Sequence, residues 1–253
     1  MNKFAFLIFL VPFHLVAATQ YDYPAPVNLL IEQGGKVVSK FDAPANMTGY
    51  VADFRGQVVT FYVTPDEQYL LTGAMLDAQG KNIGEQAVQS YVNGPKALQD
   101  WQTLESSHWV RDGSAAAKRV IYTFTDPNCP YCRKFWENAR PWVESEKVQI
   151  RHILVGILKA DSLGKAAAIL GSDNPEGEFN KFESGITFNS LKSLATIPEE
   201  LRAKLEQNHQ IMSAMGARAT PATFYHNQAG QLKMQMGLPP QAAMEDILGT
   251  LED

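Results

Sequence analysis

The chain contains two cysteines, and they stand two residues apart in Cys129-Pro130-Tyr131-Cys132. An apolar, β-like run, Val120-Ile121-Tyr122-Thr123-Phe124, leads into the pair. A helix-like run, Arg133-Lys134-Phe135-Trp136-Glu137-Asn138-Ala139, leads out of it. Strand, CxxC and helix in that order is the local arrangement of a dithiol redox site. A chain of 253 residues that uses cysteine nowhere else has kept this pair for chemistry.

Three readings of the pair compete. A structural zinc centre needs four ligands, and a catalytic one needs three plus a water. His108, His152, His209 and His226 show no ligand spacing, and there is no second CxxC. A structural disulfide across so short a loop adds only about 2 kcal/mol before strain is subtracted. The redox reading accounts for the flanking residues as well. At a helix N-terminus, unpaired backbone N–H groups and the positive end of the dipole favour a thiolate at Cys129. Pro130 suits the first helical position, where its missing N–H costs nothing. Cys132, one turn in, is expected to be more buried and protonated, so Cys129 exchanges with substrate and Cys132 resolves the mixed disulfide. Farther on, Ala219-Thr220-Pro221-Ala222-Thr223-Phe224-Tyr225 puts a proline just before an apolar strand. A cis Thr220–Pro221 bond, facing a peptide substrate beside Cys129, is one explanation; a trans proline opening a strand is the other.

The N-terminus has the pattern of an export signal: Lys3, an apolar core from Phe4 to Val16, and small residues at Val16-Ala17-Ala18. The core is shorter than the about 20 residues of a membrane span, and Pro12 and His14 interrupt it. No cysteine near the cleavage site offers a lipid anchor. Residues 1–18 are therefore expected to be removed on export to an oxidising compartment, the periplasm, with no stable membrane insertion. Without them the chain carries 21 basic and 27 acidic residues, a net charge of −6, and no basic stripe that would bind nucleic acid.

About 235 residues remain, enough for one large domain or two small ones, and the patterning favours two. Residues 27–35 read as a short helix closed by glycine. Residues 36–41, 58–63 and 69–76 read as strands of a meander, with turns at 64–67 and 77–80. So small a block (19–82) buries a marginal core. It must either pair with a second copy or pack on its own chain, and its exposed strand edge favours pairing. A polar helix over 85–106, broken at Asn93-Gly94-Pro95 and presenting Ala97, Trp101 and Leu104 on one face, suits a linker within 83–107. The rest, 108–253, alternates: strand 120–125, helix 129–143, strand 148–154, helices 160–170, 175–183 and 198–215, strands 222–225 and 233–236, and a closing helix 240–251. This is a thioredoxin-like α/β layout with a helical insertion.

Phe124-Thr125-Asp126-Pro127-Asn128-Cys129-Pro130-Tyr131-Cys132-Arg133-Lys134-Phe135-Trp136, together with Thr220-Pro221-Ala222, resembles the thiol:disulfide interchange proteins of the DsbC/DsbG group. So do Tyr23-Pro24-Ala25-Pro26-Val27, Ser107-His108-Trp109, Ala139-Arg140-Pro141-Trp142-Val143 and Met236-Gly237-Leu238-Pro239. Pro-Tyr between the cysteines and the lack of a second pair look nearer the DsbG branch. The resemblance implies a V-shaped homodimer: an α+β, cystatin-like N-terminal dimerisation domain, a linker helix, and an α/β thioredoxin-like domain facing a shared cleft. By position it makes Cys129 the nucleophile, Cys132 the resolver, and Pro130, Tyr131, Thr220 and Pro221 the substrate-binding surround. It further implies no cofactor beyond the redox-active pair, exported proteins as substrates, and a DsbD-like membrane reductase as partner. The leading expectation is a disulfide isomerase or reductase that also reduces sulfenylated cysteines and binds unfolded chains. The alternatives are a net disulfide oxidase, which residues 20–105 count against, and a redox-independent chaperone-like dimer.

Overall fold

The structure, a computed structural model, describes residues 23–54, 56–187 and 190–251, so the export signal expected at 1–18 lies outside the described residues. Helix α1 (Ala25–Glu32) starts after Pro24 and is closed by Gly34, whose φ of +94° is left-handed. An antiparallel sheet follows: β1 (Gly35–Asp42), β2 (Thr48–Phe54), β3 (Gln57–Val63) and β4 (Leu70–Thr72), in spatial order β1-β2-β3-β4. Alternate residues Tyr50 and Ala52 of β2 and Phe61 and Val63 of β3 pack with Val27 of α1 into a small core, where Tyr50 stacks on Phe61 at 5.1 Å.

Two sequence expectations are corrected in this region. Strand β2 escapes the period-two pattern because Gly49 through Ala52 are buried on both faces of the sheet. The strand expected over 69–76 pairs only over Leu70–Thr72, leaving Leu76 in an isolated bridge to Asn82.

Helices α2 (Glu85–Tyr91) and α3 (Ala97–Glu105) are joined by a π-helical turn, Val92–Lys96. The expected break at Asn93-Gly94-Pro95 is therefore a widened turn, which takes in a residue with no N–H without ending the helix. The two halves belong to different cores. Tyr91 of α2 donates to Asp53 of β2 at 3.3 Å. In α3, Leu104 is fully buried and Trp101 packs edge-on against Tyr122 of the second sheet at 4.9 Å.

The second unit is built on β5 (Trp109–Asp112), β6 (Arg119–Thr125), α4 (Pro130–Glu144), β7 (Val148–Leu154), α5 (Ser162–Leu170), α6 (Pro175–Glu183), α7 (Glu199–Ala214), β8 (Ala222–His226), β9 (Leu232–Met236) and α8 (Met244–Leu248). The strand order is β5-β7-β6-β8-β9. Strands β6 and β7 are parallel across the α4 crossover; the other pairs are antiparallel. Strand β5 is too short and too charged to show a pattern in sequence. The closing helix is shorter than the expected 240–251, a 3-10 turn (Gln241–Ala243) followed by the five residues of α8.

Helices cover both faces of the sheet. Phe135, Ala139 and Trp142 of α4 and Ile247 and Leu248 of α8 pack on Ile121 and Ile150. Leu104, Ile211 and Met212 cover Tyr122, Phe124 and Phe224. The inserted helices make a third cluster in which Phe179 and Phe182 of α6 meet Trp136 of α4 and Leu154 of β7. Each such side chain contributes about 1.5–3 kcal/mol on burial, so the end of β6 that carries the cysteines is anchored from three directions.

Candidate active site

The site begins where β6 ends. Asp126 is fully buried, and its carboxylate is the hub of the turn. One oxygen accepts Asn128 N–H at 2.8 Å and the Ser162 hydroxyl at 2.8 Å; the other accepts the N–H groups of Ile157 and Leu158 at 2.7 and 2.9 Å. Asn128 is held in turn by Asp161, Ser162 and Lys165. The loop before the cysteines and the loop after β7 are thus tied through one side chain.

Cys129 caps α4. Its backbone is extended (φ −86°, ψ 110°), its sulfur accepts the Cys132 N–H at 3.1 Å, and Pro130 follows at the first helical position. Both cysteines are free thiols and both are buried, at 5% and 2% exposure. Tyr131 between them is exposed. The Thr220–Pro221 bond is cis, and Cys129 Sγ lies 3.3 Å from the Thr220 carbonyl oxygen. The Thr220 hydroxyl is buried without a hydrogen-bond partner, so its proton is available to a thiolate. Four regions far apart in sequence, residues 126–133, 157–162, 183 and 220–221, meet within this small volume.

The two thiols are driven apart in acidity. The Cys132 thiol is the largest influence lowering Cys129, to about 6; burial opposes it, and the Thr220 side chain and the backbone N–H groups of Cys132 and Tyr131 assist. Burial pushes Cys132 well above the ordinary thiol value, and its hydrogen bond to Cys129 and the neighbouring negative charge raise it further. At pH 7 a thiol of pKa about 6 is about 90% thiolate, against about 3% for a free thiol. The arrangement therefore presents one nucleophilic sulfur backed by one protonated sulfur.

Residues 111–252 match the family described as a thioredoxin-like domain. The thiol:disulfide interchange protein DsbG of Pseudomonas aeruginosa is 44% identical over 234 residues, covering 92% of this chain and 91% of that protein. DsbG of Escherichia coli is 36% identical over 249 residues, covering 98% of this chain and 99% of its own length. This chain belongs to the DsbG family. A probable DsbC of Bordetella avium is more distant, at 23% identity over 74% of this chain and 61% of that protein. The chain is accordingly a thiol–disulfide oxidoreductase of the isomerase type with a thioredoxin-like domain. No helix among the described residues is long and apolar enough to cross a membrane.

One feature of this DsbG-family site is absent from the sequence reading. Glu183, the last residue of α6, is 3% exposed and lines a cavity of about 340 Å³ with Pro127, Asn128, Cys129, Arg133 and Lys159. Burial raises its carboxyl to about 8; Arg133 opposes the rise, and the charges of Cys129 and Asp112 add to it. The signal lies in helical spacing: Phe179, Phe182 and Glu183 stand at i, i+3 and i+4, which puts an acid on an apolar face. A second buried set supports the site from below. Arg140 holds Asp112 through two hydrogen bonds, and His152 bonds Thr125 at 3.0 Å. Burial keeps His152 below its ordinary value. Among the described residues no three His, Cys, Asp or Glu side chains converge as a metal site.

Proposed function

We propose that Cys129 is the attacking thiol and Cys132 the resolving thiol of a dimeric periplasmic isomerase and reductase acting on exported proteins. The observation that carries this reading is the contrast between the two sulfurs: Cys129 near 6 at the helix N-terminus, and Cys132 buried and protonated one turn in. The Cys129 thiolate attacks a substrate disulfide; a new S–S bond forms and one substrate sulfur leaves as thiolate. If that thiolate attacks another disulfide of the same protein and the rearrangement returns to the mixed disulfide, Cys129 is released unchanged and the substrate is isomerised. If Cys132 loses its proton and attacks Cys129 instead, the substrate leaves reduced and the enzyme is left as a disulfide. A dithiol donor of the DsbD type would then restore it. A sulfenylated cysteine enters the same path, since thiolate and sulfenic acid condense to a disulfide with loss of hydroxide.

Pro130, Tyr131, Thr220 and Pro221 form the substrate-binding surround in this reading, with the exposed side chains of Tyr131, Ile157 and Leu158 offering an apolar landing surface for unfolded chains. The N-terminal sheet supports pairing of two copies, because β1 is an unpaired edge beside a core of few residues. Net oxidase activity is the second reading. A stabilised Cys129 thiolate favours the dithiol and so makes the disulfide oxidising, whichever direction the cell uses.

The test is Cys132→Ala. With no resolving thiol, the variant expressed in the periplasm should accumulate disulfide-linked partners through Cys129, identifiable by mass spectrometry after reduction. An extract with no captured partner, from a variant that is folded and exported, would refute the assignment.

A further inference from the structure

We propose that Glu183 takes up one proton when the Cys129–Cys132 disulfide is reduced and gives it back when the disulfide re-forms. The proposal rests on the assignment of the two cysteines as the redox pair. Glu183 is a buried carboxyl opening on the same cavity as Cys129. Its ion-pair partner is Arg133, with Nε 3.8 Å from Oε2, and that guanidinium is also committed to the Phe182 carbonyl at 2.8 Å. The other groups acting on it from neighbouring elements are Asp112 of β5 and Arg140 of α4, which pair with one another; Lys159 also lines the cavity. Around a buried carboxyl whose one close cation is Arg133, one anion is accommodated well and two poorly.

Reduction would otherwise put two anions there. When a dithiol reductant opens the disulfide, the S–S bond breaks and Cys129 leaves as thiolate. The reductant becomes a disulfide and releases two protons. One protonates Cys132, and the other goes to the Glu183 carboxylate. Before the step the cavity holds the carboxylate; after it, the thiolate beside a neutral acid. The charge near Arg133 is the same in both states, so the negative charge moves from oxygen to sulfur without entering or leaving the protein. The carboxyl value of about 8, raised first by burial and further by the Cys129 charge, agrees with the reduced half of this cycle. Glu183 is a positioning residue for the charge on Cys129; it does not bond to either sulfur.

The experiment is a carbon-13 NMR titration of the side-chain carboxyls in the full mature chain, reduced and oxidised, with the Glu183 signal assigned from Glu183→Gln. The expected result is a midpoint near 8 in the reduced protein and a midpoint at least tenfold more acidic in the oxidised one. Equal midpoints in the two states, or an ordinary carboxylate midpoint in both, would overturn the proposal. A second measurement follows the reduction equilibrium against pH. Each proton taken up or released on balance changes that equilibrium by about tenfold per pH unit. Against a dithiol reductant, which itself releases two protons, the wild type between the two Glu183 midpoints and above pH 6 should be nearly independent of pH, and Glu183→Gln should shift toward reduction about tenfold for each unit of rising pH. Slopes that match in the two proteins would also overturn it. A pair that fails to interconvert between dithiol and disulfide in either experiment would instead refute the redox assignment, and the proposal with it.

Discussion

Cys132→Ala is also a quantitative test of what activates Cys129. The Cys132 thiol is the largest influence holding Cys129 near 6. A hydrogen bond to a charged group contributes about 1.5–3 kcal/mol, and one pKa unit is about 1.4 kcal/mol. Removing the thiol while leaving the Cys132 backbone N–H, 3.1 Å from the sulfur, should therefore raise Cys129 by about one to two units, to about 7–8. At pH 6.5 the thiolate population then falls from about three quarters to between about 3 and 25%. Alkylation rate is the wrong readout near neutrality. A more basic thiolate is more nucleophilic, by about threefold for each unit, and that gain offsets much of the lost population. Thiolate absorbance at 240 nm against pH reads ionisation directly, with the oxidised protein as blank. Alkylation belongs at pH 9, where both proteins are largely ionised and the variant should react about three to ten times faster. Cys132→Ser, which keeps a donor, should titrate close to wild type. A Cys132→Ala midpoint that stays near 6 would refute the reasoning, and would assign the activation to the Thr220 side chain, the backbone N–H groups and the helix N-terminus.

Two further outcomes follow from the structure. Asp126→Ala removes the acceptor for three backbone N–H groups and one hydroxyl at a fully buried position; it should cost about 2–4 kcal/mol in urea denaturation, with m unchanged. Sedimentation velocity of the mature chain at micromolar concentration should give twice the chain mass if the N-terminal sheets pair, and a monomeric mass would reject that proposal.

Local chemistry was legible in the sequence to the residue; placement in three dimensions was not. Strand β7 and helix α6 fall at 148–154 and 175–183 as patterning places them, because one alternates apolar and polar residues through Val148-Gln149-Ile150-Arg151 and closes on Ile153-Leu154, and the other opens with Pro175 behind an Asn174 cap. The N-cap geometry of Cys129 follows from four consecutive residues. Strand β2 and the π-helical turn were illegible for opposite reasons. Burial on both faces erased the alternation of the strand, and tertiary packing of Tyr91 and Leu104 on either side carried the helix through Gly94-Pro95, where local propensity says stop. Glu183 and the Thr220 carbonyl reach Cys129 from 54 and 91 residues away, and no local spacing encodes that approach.

The separation of the two thiols also bears on how a mixed disulfide is partitioned. The low value of Cys129 makes it a good attacking group and an equally good leaving group, so the intermediate forms and reverts readily. Its decay by resolution needs the Cys132 thiolate. Two of the influences that raise Cys132, its hydrogen bond to Cys129 and the Cys129 charge, vanish once Cys129 is joined to substrate, but the largest one, burial, remains. A thiol that burial holds above its ordinary value is less ionised at pH 7 than an ordinary substrate thiol. Proximity still favours Cys132, but its buried proton slows it relative to a substrate thiol already in position. That delay gives a substrate with several cysteines time to rearrange and escape, while a substrate with no second thiol can leave only through Cys132. With Cys132 as the proposed resolving thiol, one site would isomerise the first class and reduce the second, and a less buried Cys132 should shift the balance toward reduction, measurable as a higher reduced-to-rearranged ratio on a scrambled multi-cysteine substrate.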